Sequence, residues 1–358
     1  MNVQSPPPAL ARHARRSFRR LLQATGAIMV LLVVLAAGGA AYQAVVSARE
    51  RELYPPPGKM VDVNGLRMHV ACQGEGSPTV ILDAGGGDNS LTWSLVQPEL
   101  ARITRVCAFD RPGLGWSDEA AGPHEAEHAA DRLHALLQAA GEPGPYLLVG
   151  HSAAGLYDRV FAARYRPEVV GLVLVDPTPL VPPDDSEVLG ILGSGLPLPL
   201  AAPAAVTGLH RILLWPGIVE NALPTRRLPA EVQAAYRATR YRTSALSTAA
   251  AEEGGLLASI DQALSAGDLG DMPVTVLMAE ISDADRAAVS SELLQVLERA
   301  KRLQAAHAEG STRSDVVMVS GTGHFIHVDR PDVVRDSIIR MIEDGEDSPP
   351  LSQTSSQG

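Results

Sequence analysis

The stretch Tyr146-Leu-Leu-Val-Gly-His-Ser-Ala-Ala-Gly155 is an apolar run followed by a serine among small residues, and a helical pattern continues from it to Tyr165. A serine that attacks a carbonyl needs this arrangement, because a sharp strand-to-helix turn lifts its hydroxyl above the sheet. Only small residues two positions before and after the serine avoid a clash, and Gly150 and Ala154 meet that requirement. The stretch predicts Ser152 as a nucleophile; a serine that merely caps a helix is the alternative interpretation.

Eight short runs along the chain predict the strands of one sheet. The first two flank Asn64-Gly65, a dipeptide typical of hairpin turns. The others are continuous apolar runs separated by helical stretches, which is typical of a parallel sheet covered on both faces. The interval from Asp176 to Met272 is too long for a simple crossover and predicts a cap over the site. The predicted strands are Lys59–Asn64, Leu66–Cys72, Thr79–Leu82, Val106–Phe109, Tyr146–Val149, Val169–Val175, Val274–Met278 and Val316–Val319.

The segment after the last predicted strand supplies a base for Ser152. It reads Ser320-Gly-Thr-Gly-His-Phe-Ile-His327, and His324 lies in its glycine-rich part, where a loop can direct an imidazole at the strand ends. His327 is the competing histidine, but the acidic and proline residues behind it place it near the start of the last helix. We therefore expect His324 to be the base.

The loop after the predicted strand Thr79–Leu82 predicts an oxyanion hole. It reads Asp83-Ala-Gly-Gly-Gly-Asp88, and its glycines let backbone N–H groups approach a ligand without hindrance from side chains. A phosphate-binding loop is the alternative, but no Gly-Lys-Ser/Thr sequence follows.

In these stretches the chain resembles the serine branch of the α/β-hydrolase superfamily, over residues 59–343. The resemblance implies an α/β fold with a mostly parallel eight-stranded sheet flanked by helices, and a helical cap inserted after the sixth strand. It also implies Ser152 as nucleophile, His324 as base, and the N–H groups of Gly86 and Ala153 as the oxyanion hole. The stretches that carry it are Asp83-Ala-Gly-Gly-Gly, Phe109-Asp-Arg-Pro-Gly-Leu-Gly-Trp-Ser117, Gly150-His-Ser-Ala-Ala-Gly155 and Gly321-Thr-Gly-His-Phe-Ile-His327.

The acid of the triad has two candidate positions. The usual place follows the seventh strand, where Glu280, Asp283 and Asp285 occur, and Asp283 fits the spacing of the family best. Some relatives place the acid after the sixth strand, which here ends in Asp176-Pro, although Asp-Pro is also common in turns. We expect Asp283, with Asp176 as the alternative.

The segment His124-Glu-Ala-Glu-His128 matches the signature of zinc peptidases, with His134 as a third ligand. The longer signature requires a glycine where this chain has Asp131. If the helix continues instead, its leucines share one face and the first two histidines lie opposite, towards solvent. A zinc site is therefore disfavoured, and no metal or cofactor is expected.

The N-terminal region predicts a membrane anchor. Residues 1–20 contain five arginines and no acid, and the 26 residues of Leu21–Val46 carry no charge. At 1.5 Å per residue this segment reaches about 39 Å, enough to cross a bilayer. The arginines should remain cytoplasmic and place the remainder outside; secretion after cleavage of a signal peptide is the alternative. We further expect a linker at 47–58, a core at 59–176 and 271–343, a cap at 177–270 and a disordered tail at 344–358.

Composition limits the function. The 358 residues carry 30 basic and 41 acidic side chains, and outside the N-terminal arm only 25 basic ones remain, which argues against nucleic-acid binding. Cys72 and Cys107 lie on the second and fourth predicted strands, which the resemblance to the α/β-hydrolase superfamily implies are neighbours. Two buried free thiols are favoured over an extracytoplasmic disulfide.

The expected activity is two-step hydrolysis of an ester or related acyl bond. An acyltransferase or a catalytically silent binding protein is the alternative. The uncharged stretch Val188–Leu209, interrupted by Pro197, Pro199 and Pro203, favours a small-molecule or lipid-like acyl substrate and contact of the cap with the membrane.

Overall fold

A single eight-stranded sheet forms the centre of the protein. The computed structural model describes residues 8–192, 204–208, 210–211 and 224–346. The strands lie in the order β1-β2-β4-β3-β5-β6-β7-β8; β2 is antiparallel to both of its neighbours and the other pairs are parallel. The predicted fold class is therefore confirmed. The strands are β1 Lys59–Val63, β2 Leu66–Gln73, β3 Thr79–Asp83, β4 Val106–Phe109, β5 Tyr146–His151, β6 Val169–Val175, β7 Val274–Ala279 and β8 Ser314–Val319.

Helices cover both faces of the sheet. Alternate residues of each central strand enter two separate apolar clusters: in β5, Leu148 joins one cluster, whereas Leu147 and Val149 join the other. Burial on both faces explains the continuous apolar runs in the sequence. The helices are α1 Pro8–Leu53, α2 Gln97–Leu100, α3 Ala126–Ala140, α4 Ala154–Arg164, α5 Ser186–Leu192, α6 Ala230–Arg240, α7 Thr243–Gly254, α8 Leu256–Ser265, α9 Asp283–Ala288, α10 Ser291–Ala305, α11 Ile326–Asp329 and α12 Pro331–Glu346.

Helices α5 to α8 occupy the interval between β6 and β7 that was predicted as a cap. The last of them, α8, packs against α3 and α4 of the core, and its Ser259 Oγ accepts a hydrogen bond from the N–H of Ala126 at 3.1 Å. The cap is thus fastened to the core at its C-terminal end. The proline-interrupted part of the predicted cap (193–203) and the end of the predicted tail (347–358) lie outside the described residues.

Helix α1 differs from the expected anchor and linker. It is continuous over 46 residues and includes Ser47–Leu53, which was predicted as part of a linker. Its large apolar side chains between Leu21 and Leu35 are 54% to 65% exposed, and by length and composition the segment Ser17–Leu53 is suited to cross a membrane. Its C-terminal part docks on the cap, because the buried guanidinium of Arg211 donates hydrogen bonds to side chains of α1.

Cys72 and Cys107 form a disulfide, so the preference for two free thiols was wrong. The antiparallel register of β2 and β4 places the two cysteines directly opposite each other. Their Cα atoms are only 4.0 Å apart, and a cross-strand pair at this distance brings the two sulfur atoms together.

Candidate active site

Ser152 lies at the turn between β5 and α4, at the C-terminal edge of the sheet. Its φ of +56° is in the left-handed region, which a non-glycine residue adopts only when its surroundings hold it there. Two hydrogen bonds hold the backbone of Ser152 in this conformation: the N–H of Ser152 donates to Val175 O at 3.1 Å, and the N–H of Thr178 donates to Ser152 O at 2.9 Å. The hydroxyl is thus held above the strand ends, as the sequence pattern predicts.

His324 contacts the hydroxyl of Ser152. Its Nε2 is 3.0 Å from Ser152 Oγ, and its side chain is 49% exposed. The loop after β8 holds it there, because the N–H of Gly323 donates to Asp329 Oδ2 at 3.0 Å. The competing histidine, His327, is buried in α11, and burial lowers its pKa to about 3. No described group forms a hydrogen bond with the ring nitrogens of His327.

The carboxylate beside His324 belongs to Asp176, not to Asp283. Asp176 Oδ2 lies 2.7 Å from His324 Nδ1. Its other oxygen, Oδ1, accepts hydrogen bonds from the N–H of Ala279 at 3.0 Å, from Lys301 Nζ at 2.9 Å and from Gln304 Nε2 at 3.0 Å. Burial disfavours the charged form, but the hydrogen bond to His324 and the charge of Lys301 outweigh it and lower the pKa of Asp176.

The residues after β7 lie elsewhere, which corrects the expectation for Asp283. Asp283 is exposed and begins α9, where Ser282 caps the helix by accepting a hydrogen bond from the N–H of Asp285. Glu280 accepts a hydrogen bond from Ser320 Oγ at 2.5 Å. The chain leaves β7 and enters α9 within four residues, and of the carboxylates there Asp285 bonds to Ser282 of the same turn. The carboxylate that contacts His324 therefore follows β6.

The two expected oxyanion donors lie next to each other beside Ser152. Gly86 and Ala153 both line the cavity that contains Ser152, and a Cβ placed on Gly86 would be 3.5 Å from Ala153 Cβ. Within the described part of the chain, neither backbone N–H donates a hydrogen bond. Both donors are therefore available to a ligand oxygen.

Two charged residues near this loop were not identified from the sequence. Arg111 was noted only as part of the stretch Phe109–Ser117, and Glu252 is one of two adjacent glutamates in α7. Their side chains are 5% exposed, and they bond to each other and to the glycine-rich loop. No local pattern marks Glu252, because its partners lie more than 140 residues away in the chain.

A cavity of about 450 Å³ opens above Ser152, which is the size of a small-molecule site. Apolar side chains line part of it, and charged groups of α6, α7 and α10 also reach it. The apolar side chains are Leu192, Leu256, Ile281 and Leu297, and the charged ones are Arg240, Glu252, Glu253 and Lys301.

The histidines of the zinc-peptidase signature do not converge. His124 precedes α3, His128 is exposed on it, and His134 stacks on Tyr165 with its Nε2 3.0 Å from Glu168 Oε1. Among the residues that the structure describes, the one group with metal-ligand spacing contains Cys72 and Cys107, which are joined to each other.

Comparisons with known proteins agree with this architecture. The sequence profile of the alpha/beta hydrolase family matches residues 80–337. An uncharacterised protein of Schizosaccharomyces pombe is 48% identical over 81 residues, which are 23% of this chain and 15% of that protein. The matches span between 15% and 47% of the length of the first three curated relatives.

Solved structures with the same fold include enzymes of different chemistry. The epoxide hydrolase CorEH has a TM-score of 0.59 and 20% identity, over 80% of this chain and 98% of that one. A membrane phospholipase A has a TM-score of 0.55 and 21% identity, over 92% of this chain and 99% of that one. At this identity the likeness establishes the fold alone. Since the family profile spans most of the chain and the strand order agrees with it, the chain belongs to the alpha/beta hydrolase family.

Proposed function

We propose that this protein is a membrane-anchored serine hydrolase that cleaves an ester or related acyl bond through Ser152, His324 and Asp176. The observation that carries the proposal is the continuous hydrogen-bond chain of these three residues at the strand-to-helix turn of β5. Membership of the alpha/beta hydrolase family supports hydrolase chemistry, and the ester bond, the triad and the anchor are further parts of the proposal.

The first step is attack by Ser152. Its Oγ attacks the substrate carbonyl as its proton passes to His324 Nε2, and the imidazolium that forms donates through Nδ1 to Asp176 Oδ2. The lowered pKa of Asp176 keeps this carboxylate ionised at neutral pH. Asp176 therefore holds the imidazole in the tautomer whose Nε2 can accept the proton of Ser152.

The oxyanion forms between the strand ends and the glycine-rich loop. The N–H groups of Gly86 and Ala153 donate to the negative oxygen of the tetrahedral intermediate. His324 then protonates the leaving alcohol, and the acyl group remains on Ser152. Water attacks this acyl-enzyme with His324 as base, the second tetrahedral intermediate collapses, and the acid is released.

The nucleophile distinguishes between the chemistries found on this fold. An epoxide hydrolase and a membrane phospholipase A both match the chain structurally, so the fold leaves the reaction open. Epoxide hydrolases of this superfamily use an aspartate at the nucleophile position, whereas this chain has Ser152 there. The serine supports acyl chemistry, and the apolar side chains that line the cavity support an acyl substrate with an apolar chain.

The anchor and its orientation complete the proposal. The exposed apolar segment of α1 spans the membrane, and the arginines before it remain cytoplasmic. The catalytic domain is then extracytoplasmic, where the Cys72–Cys107 disulfide persists. Washing membranes with alkaline carbonate should leave the full-length protein in the pellet; its release into the supernatant would contradict an integral anchor.

A fluorophosphonate probe tests the chemistry directly. Detergent-solubilised wild-type protein should be labelled, and Ser152→Ala should not be labelled while it remains folded by circular dichroism. Ser314→Ala is the matched control, because Ser314 is exposed at the N-terminal end of β8, away from the strand ends that carry Ser152. Folded wild-type protein that remains unlabelled would contradict an activated serine.

A further inference from the structure

Arg111 and Glu252 form a buried ion pair behind the glycine-rich loop. Arg111 Nε donates to Glu252 Oε1 at 2.7 Å, and Nη2 donates to Oε2 at 3.2 Å, so the pair is bidentate. Burial alone would lower the pKa of Arg111, but the negative charges of Glu252 and Asp83 outweigh it and raise the pKa. Arg111 is therefore a permanent cation.

Arg111 also fixes the peptide unit that contains the Gly86 donor. Its Nη2 donates to Gly85 O at 2.8 Å, and its Nη1 donates to Ala84 O at 2.5 Å. The carbonyl of Gly85 and the N–H of Gly86 belong to one planar trans peptide, so they point in opposite directions. Because Arg111 holds the carbonyl on its own side, the N–H of Gly86 is directed away from Arg111.

Glu252 holds the next peptide unit. Its Oε2 accepts a hydrogen bond from the N–H of Gly87 at 2.6 Å, so the peptides on both sides of the Gly86 Cα are bonded to one ion pair. A run of three glycines has little conformational preference of its own and would otherwise allow these peptides to rotate. The three glycines thus allow the loop to approach a substrate, but the loop needs hydrogen bonds from residues outside it to keep one conformation.

We propose that Arg111 and Glu252 are positioning residues that orient the Gly86 N–H as an oxyanion donor before substrate binds. This inference rests on the proposed serine chemistry and extends it to the cap, since Glu252 belongs to α7. The pair touches neither Ser152 nor His324, so it affects catalysis through the loop. Hence the cap contributes to stabilisation of the transition state as well as to substrate binding.

The test uses Glu252→Gln in the full-length, detergent-solubilised protein. A glutamine amide cannot keep all three of the hydrogen bonds that Glu252 accepts, because one of its two terminal atoms is a donor: either Arg111 Nε or the N–H of Gly87 then faces an NH2 group. Loss of a whole oxyanion donor lowers kcat about 100- to 1,000-fold, so misorientation of Gly86 should lower kcat for a soluble ester by roughly 10- to 100-fold. KM should change by less than about twofold, because the oxyanion forms only in the transition state.

A pair of inhibitors distinguishes a misoriented Gly86 N–H from a general loss of binding at the site. A trifluoromethyl ketone forms a tetrahedral oxyanion on Ser152, whereas the corresponding alcohol cannot. Glu252→Gln should weaken binding of the ketone by the same factor as kcat and leave binding of the alcohol unchanged. The matched control is Glu142→Gln, which breaks the bidentate pair of Arg105 and Glu142 before the start of β5 and should leave the ratio of the two affinities unchanged.

A second variant covers the case in which Glu252→Gln does not fold. Arg111→Lys keeps the charge, but a single ammonium cannot replace a fork that bonds Glu252 and two carbonyls, and it should cause the same selective loss. A folded variant with an unchanged ketone-to-alcohol ratio would overturn the inference. Wild-type protein that forms no ketone adduct would overturn the serine chemistry itself, and the inference with it.

Discussion

The carboxylate of Asp176 is saturated with hydrogen bonds. Four groups from three different parts of the chain bond to it: His324, the N–H of Ala279 at the end of β7, and Lys301 and Gln304 of α10. Asp176 itself has a φ of +42°, which is rare for a residue other than glycine. The surroundings therefore fix the position of this side chain, which is what its proposed role in orienting the imidazole of His324 requires.

Substitution of the carboxylates distinguishes the two candidate acids. Asp176→Asn should lower kcat/KM for an ester by about 100- to 10,000-fold, because the amide cannot stabilise the imidazolium or enforce its tautomer. Asp283→Asn is the matched control and should change kcat/KM by less than about twofold, since Asp283 is exposed at the start of α9. Steady-state kinetics on folded protein measures both, and the reverse order of effects would reject Asp176.

These residues can be predicted from the sequence only where a short stretch of it identifies them. Ser152 and His324 each lie in a short stretch of small residues beside a strand, and the structure brings them within hydrogen-bond distance. Which carboxylate contacts His324 depends instead on the path that the chain takes after β6 and after β7. Asp176-Pro could be read equally as an ordinary turn, so the sequence alone favoured Asp283.

At the level of elements, helix α1 is part of the catalytic domain as well as the proposed anchor. Arg211 of the cap donates to Gln43 Oε1 at 2.6 Å and to Glu50 at 2.9 and 2.7 Å. Gln43 in turn donates through Nε2 to Tyr241 O at 2.9 Å, next to the start of α7. The charged end of α1 is thus bonded to the cap, so the proposed membrane-spanning segment has to end before this contact.

Removal of Arg211 should loosen this contact. Arg211→Ala leaves Gln43 buried and Glu50 largely buried without their partner, and breaking such a pair costs about 3 kcal/mol or more. For a domain of this size the Tm should fall by roughly 5 °C or more. Thermal unfolding in detergent measures the change, and Arg49→Ala, an exposed arginine on α1, should have little effect. Equal Tm values would show that the contact contributes nothing.

The disulfide is the second element-scale feature. Cys72 and Cys107 are 35 residues apart, and closing a loop of this length restricts the unfolded chain enough to stabilise the fold by about 2–4 kcal/mol. Without reductant, a maleimide reagent should modify neither cysteine of the denatured protein, and after reduction it should modify both. Two reactive thiols in protein isolated under non-reducing conditions would contradict both the disulfide and an extracytoplasmic domain.

The eight strands were predictable, whereas the docking of α1 was not. Each strand is a short apolar or alternating run, and this local pattern is enough to predict a strand. The polar residues Ala48–Leu53 indicate exposure instead, and together with the prolines that follow they predict a spacer. They nevertheless continue helix α1, where Glu50 bonds to the buried Arg211, a partner more than 150 residues away in the chain.

At the scale of the whole molecule, buried histidines link stability to pH. Burial lowers the pKa of His307 to about 4, and it also lowers the pKa values of His151 and His327. In the unfolded chain a histidine takes up its proton near pH 6.5. The unfolded state therefore binds more protons between about pH 6.5 and 4, and the free energy of unfolding falls as the pH decreases through this range.

His307→Gln isolates one of these contributions. The glutamine can still donate a hydrogen bond to Thr178 O, as His307 Nε2 does at 2.9 Å, but it does not titrate. Between pH 6.5 and 4 the free energy of unfolding of the variant should vary less steeply, by up to about 1.4 kcal/mol per pH unit. Urea unfolding at several pH values measures the slope, and His128→Gln, an exposed histidine, should leave it unchanged. Parallel curves for wild type and His307→Gln would reject the assignment.

The docked end of α1 decides where a soluble form of the catalytic domain has to start. A chain that begins at Lys59 loses Gln43, Ser47 and Glu50, which accept the hydrogen bonds of the Arg211 guanidinium, and it also loses the hydrogen bond from Gln43 Nε2 to Tyr241 O. A chain that begins near Gly39 keeps these partners and discards the exposed apolar residues between Leu21 and Leu35. The useful boundary for expression and crystallisation therefore lies inside the helix and not at its end.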